Sequence, residues 1–265
     1  MKKIAVVLTF CALALPVLAQ PTATDPFFML DKSGKLLDSE LGFNNNYEGA
    51  DGAKQWLLKE TFRYGLAPRW EVFASLGLAN LKMDGGYSEN GLTDPDFGVK
   101  YRASEDLAGQ GLLLDVTAHF SPSFFDSPND RHPDGVAKGS TDFGVGAMVG
   151  RQAMGAQEWT WGGFAALDFI GSTDDGKSAT DIYLGGIGKY YIDDVNSVDG
   201  LASLGFRGKR ADGADSDTTL RLAAGYSRVL THDMDLGGQL GFATHSADGA
   251  KTEIFLSARL RWRFF

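Results

Sequence analysis

One pair of residues in this chain has a spacing that could support hydrolysis. His119 and Ser121 are separated by a single residue, which places a base and a nucleophile on the same face of a β-strand. An ester-cleaving site would also need a carboxylate or amide to orient the histidine, and no obvious Asn or Asp partner accompanies the pair. The surrounding alternation instead groups both residues with Asp115 and Thr117. We therefore expect two polar residues near a strand end, and no enzyme activity.

Metal and cofactor chemistry is not indicated either. The four histidines are scattered at positions 119, 132, 232 and 245, and the aspartate-rich loops do not have the spacing of a calcium loop. Cys11 is the only cysteine of the sequence. We expect no metal and no cofactor.

The most regular pattern lies at the C-terminal end. From Thr252 to Phe265 one face is apolar and the other is polar, with Arg259, Arg261 and Arg263 all on the polar face. A strand of this kind separates hydrocarbon from water, as the closing strand of an outer-membrane β-barrel does. The apolar face carries Ile254, Leu256, Ala258, Leu260, Trp262 and Phe264. Phe265 falls out of this phase, which leaves the register of the last residue open.

The N-terminal end agrees with this interpretation. Residues 1–19 carry Lys2 and Lys3, then an apolar stretch, then small residues ending at Ala19. This is the pattern of a secretory signal peptide, and we expect export to the outer membrane of a Gram-negative cell with cleavage near Ala19. No later segment has the roughly 20 apolar residues that a membrane-spanning helix needs.

Composition fits a barrel. The 265 residues include 34 glycines and 12% aromatic residues, as expected for short strands joined by tight turns. The formal net charge of −9 would become about −11 after removal of the two N-terminal lysines. Because phosphate binding needs a basic face, nucleic acid is not an expected partner.

Segments of about ten residues with a period of two recur along the chain, separated by breaks rich in Gly, Asp, Asn, Ser and Pro. They predict an all-β, transmembrane, antiparallel up-and-down barrel of about 12 strands over residues 37–265, preceded by a polar lead over residues 20–36. The predicted strands are 37–47, 54–64, 70–80, 95–102, 112–121, 142–149, 159–170, 181–191, 201–208, 219–228, 236–242 and 252–265.

The predicted connections alternate in length. Those at 65–69 and 230–233 are tight, as periplasmic turns are, whereas those at 122–139, 171–180 and 209–218 are longer and charged. Aromatic residues cluster near the strand ends, where a barrel places its interfacial girdles. Simple strand propensity is the alternative explanation for these aromatic residues.

Two segments carry a family resemblance. LTDPDFGVKYR at 92–102 and GSTDFGVGA at 139–147 are similar to the repeated strand signatures of the outer-membrane family labelled for the meta-pathway of phenol degradation. The resemblance extends over about residues 55–265 and implies a barrel or transporter of the outer membrane. The family name comes from its neighbourhood to aromatic degradation, and it supplies no catalytic or ligand residues.

Charged and polar residues of the predicted strands share the face opposite to lipid. Such residues form either a salt-bridged, closed interior or a charged water channel. We expect a channel or transporter for small solutes, with hydrophobic or aromatic compounds as candidates; a structural or surface-interaction barrel with a closed lumen is the alternative, and a lipid hydrolase a third. The predicted lumen-lining residues are Asp96, Lys100, Arg102, Asp115, His119, Asp142, Asp168, Arg221, Arg259, Arg261 and Arg263.

The expected partners follow from the same hypothesis. They are outer-membrane lipid and lipopolysaccharide, the barrel-assembly machinery during biogenesis, and small-molecule solutes.

Overall fold

A computed structural model describes residues 25–125, 136–137, 139–172, 177–209 and 216–264. The predicted signal peptide at residues 1–19 lies outside the described residues, as do Phe265 and parts of the three longer connections. Within the described residues, no helix is both long and apolar enough to cross a membrane.

The described chain is built almost entirely of antiparallel strands, with a single 3-10 turn at Tyr47–Gly49. The strands are β1 Lys35–Asn45, β2 Lys54–Ala67, β3 Trp70–Lys82, β4 Ser88–Leu92, β5 Asp96–Leu107, β6 Leu112–Ser121, β7 Asp142–Arg151, β8 Trp159–Ile170, β9 Ala179–Tyr191, β10 Asn196–Arg207, β11 Asp217–Thr231, β12 Met234–His245 and β13 Glu253–Phe264.

The sheet closes on itself. Consecutive strands pair with each other except β4 and β5, which both pair with β3. β1 also pairs with β13, from Lys35 opposite Phe264 to Asn45 opposite Ile254. Closure leaves no free sheet edge along the wall, which a membrane-spanning sheet requires. The predicted all-β, up-and-down barrel is confirmed, and its wall has twelve positions because β4 and β5 share one.

The shared position is a break in the wall. β3 pairs with β4 from Leu78 to Lys82 and with β5 from Trp70 to Ser75. Between these two stretches Thr93 bonds Gly77 twice: its amide donates to the Gly77 carbonyl oxygen, and its hydroxyl accepts from the Gly77 amide, each at 2.9 Å. Pro95, which cannot donate to a ladder, lies in the break and explains why one long strand becomes two.

The predicted strand bounds differ most in two strands. β5 continues to Leu107 where the prediction ended at residue 102, and β10 begins at Asn196 where the prediction began at residue 201. β1 begins at Lys35 where the prediction began at residue 37. β4 was not predicted. In β10 the prediction missed Asn196–Gly200 because one glycine and three polar residues hide the alternation there.

The connections differ between the two ends of the barrel. At one end, called here the turn end, the turns are short, including Pro68–Arg69 and His232–Asp233. At the other end, the loop end, the connections are longer and include the region between β6 and β7. This alternation agrees with the predicted tight turns and longer loops.

Side chains alternate across the wall. Large apolar residues point outward on every long strand, and aromatic pairs form near the turn end, such as Trp70 with Tyr101 at 4.4 Å between ring centroids. Near the loop end Phe97, Phe120, Phe143 and Phe169 occupy one row of register across four strands. These two rows have the arrangement of the interfacial girdles of a membrane barrel.

Candidate functional site in the barrel lumen

The inner face carries most of the charged residues of the wall. All eleven residues predicted to line the lumen lie on this face of their strands, opposite to the exposed apolar side chains. The hydrogen-bond and ion-pair partners of these residues show how their charges are compensated.

The arginines of β13 are paired with carboxylates of the adjacent strand β1. Arg261 Nε lies 2.8 Å from Asp38 Oδ2, and Arg259 donates to Glu40. Arg263 donates to the backbone carbonyl oxygen of His232 in the turn. These ion pairs therefore join neighbouring strands of the wall.

A second group lies on β5 and β6. Asp115 is almost fully buried and accepts from both Arg102, with Nε at 2.7 Å, and Lys100, with Nζ at 3.0 Å. One carboxylate therefore lies between two cations, and the group keeps an excess of positive charge that faces the lumen.

Residues 25–34, called here the lead segment, lie inside the barrel. Asp25 anchors the segment: its carboxylate accepts from Tyr191 at 2.5 Å, from Thr160 at 2.6 Å and from Gln152 at 3.0 Å. Asp25 is 4% exposed, so these three hydroxyl and amide donors replace the water that an aspartate would otherwise bind.

The backbone of the lead segment is held by the wall cations. Lys100 Nζ donates to the carbonyl oxygens of Pro26 and Phe28, each at 3.2 Å, and Arg102 donates to that of Phe27. The Leu30 amide in turn donates to Glu71 at 3.1 Å. Because residues 25–30 form no backbone ladder with the wall, these side chains satisfy backbone groups that the fold would otherwise leave unpaired.

Phe27 fixes the position of the lead segment against two glycines. Its ring is fully buried, and a Cβ atom added at Gly150 or Gly162 would lie 2.8 Å or 2.9 Å from the ring carbon Cζ. Phe28 faces Arg63 and Arg263, whose guanidinium carbons lie 5.9 Å and 5.8 Å from its ring centroid. Packing and cation–π contacts thus both hold the segment in the lumen.

Described residues of the inner face line cavities at three levels of the lumen. The turn-end cavity has a volume of about 910 Å³, the middle cavity about 340 Å³ and the loop-end cavity about 430 Å³. Phe28 lines both the turn-end and the middle cavity, so the lead segment lies between them. Arg259 and Arg261 line the middle cavity, whereas Arg207 and Arg221 line the loop-end cavity.

Aromatic rings of the inner face lie over glycines of the next strand. A Cβ atom at Gly98 would lie 2.2 Å from Phe73, one at Gly185 2.4 Å from Phe164, and one at Gly241 2.3 Å from Phe255. Arg221 stacks on Phe255 at 4.0 Å. The glycines allow flat rings to line the lumen without filling it.

His119 and Ser121 are not arranged as a base and a nucleophile. The two ring nitrogens of His119 lie 3.0 Å from Asp96 and 3.1 Å from Asp168. The Ser121 hydroxyl donates to the Pro95 carbonyl oxygen at 2.9 Å. Both side chains are thus engaged with other groups.

The loop end carries its own polar contacts. Asp142 accepts from the Ser140 hydroxyl at 2.8 Å, Arg207 lies 3.2 Å from Glu48, and His245 lies 2.7 Å from Asp217. Among the described residues, no group of three or more His, Cys, Asp or Glu side chains is placed to hold a metal ion.

Several residues of this site were not singled out from the sequence. Asp25 lies in the polar lead, where no periodic pattern indicates that a residue points into the lumen. Asp38, Glu40 and Glu71 alternate with apolar residues in their strands, so the phase of β1 and β3 could have identified them.

Comparison with known proteins shows the fold. No protein-family model matches the chain, and no curated protein is significantly similar to it. Among solved structures, an outer membrane channel from Pseudomonas putida F1 is similar, with a TM-score of 0.69 and 16% identity over 92% of this chain and 99% of that one. The NanC porin gives 0.55 and 13% over 85% and 98%.

The β domain of the Bordetella autotransporter BrkA gives a TM-score of 0.53 and 16% identity over 88% of this chain and 100% of that one. The chain thus has the fold of outer-membrane β-barrels, and this fold, with its apolar outer face, supports a location in the outer membrane.

Proposed function

We propose that this protein is an outer-membrane channel or transporter for small solutes, with hydrophobic or aromatic compounds as the favoured class. The observation that carries the proposal is the lead segment, whose residues 25–30 lie in the lumen on contacts with wall side chains and form no backbone ladder with the wall. Its backbone bonds to the wall begin only at Ser33 and Gly34, which pair with Gly65 of β2. A segment held in this way can be displaced without breaking the barrel, whereas a wall strand cannot.

The solute class rests on two supports. The inner face presents the rings of Phe73, Phe164 and Phe255 beside guanidinium groups such as Arg221, which suits a flat ring that carries a polar or anionic substituent. The strand signatures at 92–102 and 139–147 resemble those of the meta-pathway family. Catalysis has no part in the proposal.

A barrel with a closed lumen is the second candidate. It is favoured by the pairing of Arg259 and Arg261 with Glu40 and Asp38, because paired charges stabilise a packed interior as well as they line a pore. In that case the lead segment would be a permanent part of the interior.

Uptake into proteoliposomes tests the solute class. We expect labelled benzoate to enter faster than a neutral sugar of similar size, with empty liposomes as the baseline. Replacing Phe164 by Ala should reduce this preference, whereas the matched replacement of Phe62, whose ring is exposed on the outer face, should leave it unchanged. Equal entry of both solutes through the intact protein, or equal effects of the two variants, would contradict the proposed class.

A further inference from the structure

One charged residue lies in the middle of the outer face. Glu60 is exposed, six residues after Lys54 and seven before Ala67, and its neighbours on that face of β2 are Leu58 and Phe62. In the regular parts of the described strands, the other charged side chains that point outward lie within three residues of a strand end; these are Lys35, Lys54, Lys82, Arg151 and Arg228.

Glu60 has a polar neighbour on the adjacent strand. Ser39 is its register partner on β1, and the Ser39 hydroxyl donates to Glu60 Oε2 at 2.6 Å. Among the described residues, no donor reaches the second carboxyl oxygen, Oε1. The pair is flanked by Leu76 on β3 and Leu260 on β13, which are also exposed.

Such a pair is costly in a bilayer. Acyl chains offer no hydrogen bonds, so a carboxyl oxygen that faces them loses the solvation that water would give. Ionisable residues at this depth are rare and typically have a functional partner. The described outer wall offers no second polar pair at mid-strand, whereas another copy of the chain brings the same pair at the same depth.

We propose that Ser39 and Glu60 form the centre of a contact between two copies of this chain in the membrane. Across a twofold axis the same patch meets itself, as in most homodimers. The two Glu60 carboxyl groups donate to each other across the axis, and each Ser39 hydroxyl donates to the carboxyl group of its own chain. The exposed leucines around the pair, Leu41, Leu58, Leu76 and Leu78, pack between the two walls.

Cross-linking tests the contact. In full-length protein with Cys11→Ser, Leu58→Cys places one thiol beside Glu60, and Leu184→Cys places one at mid-strand of β9, on the opposite wall. A short bismaleimide should link the Leu58→Cys protein into dimers in lipid vesicles and leave the Leu184→Cys protein monomeric. Equal linking of both, or none with either, would overturn the proposal.

Variants of Glu60 show whether cross-linking depends on hydrogen bonds between the two copies or only on random collisions in the membrane. In the Leu58→Cys protein, Glu60→Gln keeps donor and acceptor atoms and should preserve the dimer, whereas Glu60→Leu should weaken dimerisation about tenfold, since two membrane-embedded hydrogen bonds are lost. Heat-modifiable gel migration checks that both variants fold. Unchanged dimerisation of Glu60→Leu would contradict the proposal. A second contradicting result would be a protein that stays monomeric while an added long-chain amine, a cationic amphiphile able to pair with the Glu60 carboxyl group, protects the thiol at position 58 from the maleimide.

Discussion

His119 on β6 and Asp168 on β8 hydrogen-bond to each other across the whole width of β7, with Nε2 and Oδ1 3.1 Å apart. The contact passes directly over Gly144, which is the register partner of both residues. Because Nδ1 of the same ring lies 3.0 Å from Asp96 on β5, one set of contacts links four consecutive wall strands.

Gly144 is therefore predicted to be intolerant of a side chain. A Cβ atom there would lie 1.9 Å from His119 Nε2 and 2.3 Å from Asp168 Oδ1, so Gly144→Ala must break the contact. We expect a loss of about 1–3 kcal/mol in the free energy of unfolding. Urea titration in lipid vesicles measures it, with Gly163→Ala as the control, because its Cβ would meet only the Gly185 carbonyl oxygen at 3.8 Å. Similar losses for both variants would refute the account.

The ion pair between Asp38 and Arg261 should behave as a coupled unit. Arg261→Gln leaves Asp38 without its nearest cation, and we expect it to destabilise the barrel by about 1–3 kcal/mol. The loss should be smaller than at a fully dry site, because Arg261 lines the middle cavity, which has room for water. Adding Asp38→Asn should recover part of this loss. A double-mutant cycle measures the coupling, and strictly additive effects would show that the pair contributes nothing.

Position 260 tests the orientation of the closing strand. Leu260 is exposed on the outer face of β13, and Leu260→Arg should cost on the order of 2–4 kcal/mol if the residue lies near mid-bilayer. Leu66→Arg, next to the end of β2, should cost about 0–1 kcal/mol. Equal folding of both variants in vesicles would mean that the outer face does not meet hydrocarbon.

Cell fractionation tests the location. A barrel with this apolar outer face should sediment with outer membranes and migrate differently on gels before and after heating. The full chain is expressed and both properties are measured on the separated membranes. A folded, soluble periplasmic pool would be incompatible with the account.

Much of the wall could be predicted from sequence because period-two alternation is a local signal. The closing strand shows this best. Its even-numbered residues, from Ile254 to Phe264, point outward, and Arg259, Arg261 and Arg263 point inward, as the alternation indicates. Phase alone is sufficient to place a side chain on one face of a closed sheet.

The contents of the lumen could not be predicted, because they depend on contacts between residues distant in sequence. Asp25 meets Thr160 and Tyr191, 135 and 166 residues away, through a segment without periodicity. The contact of His119 with Asp168 depends on a glycine of a third strand, and the outward position of Glu60 was visible in the phase of β2 but not singled out.

Single-channel recording most directly tests whether the lead segment controls a pore. Asp25→Ala removes the anchor to Thr160, Gln152 and Tyr191, whereas Asp31→Asn changes an exposed carboxylate of the same segment that has none of these contacts. In planar bilayers, the account predicts small conductance for the intact protein and for Asp31→Asn, and several-fold larger or longer openings for Asp25→Ala. Identical recordings from all three proteins would contradict it and favour a barrel with a permanently closed lumen.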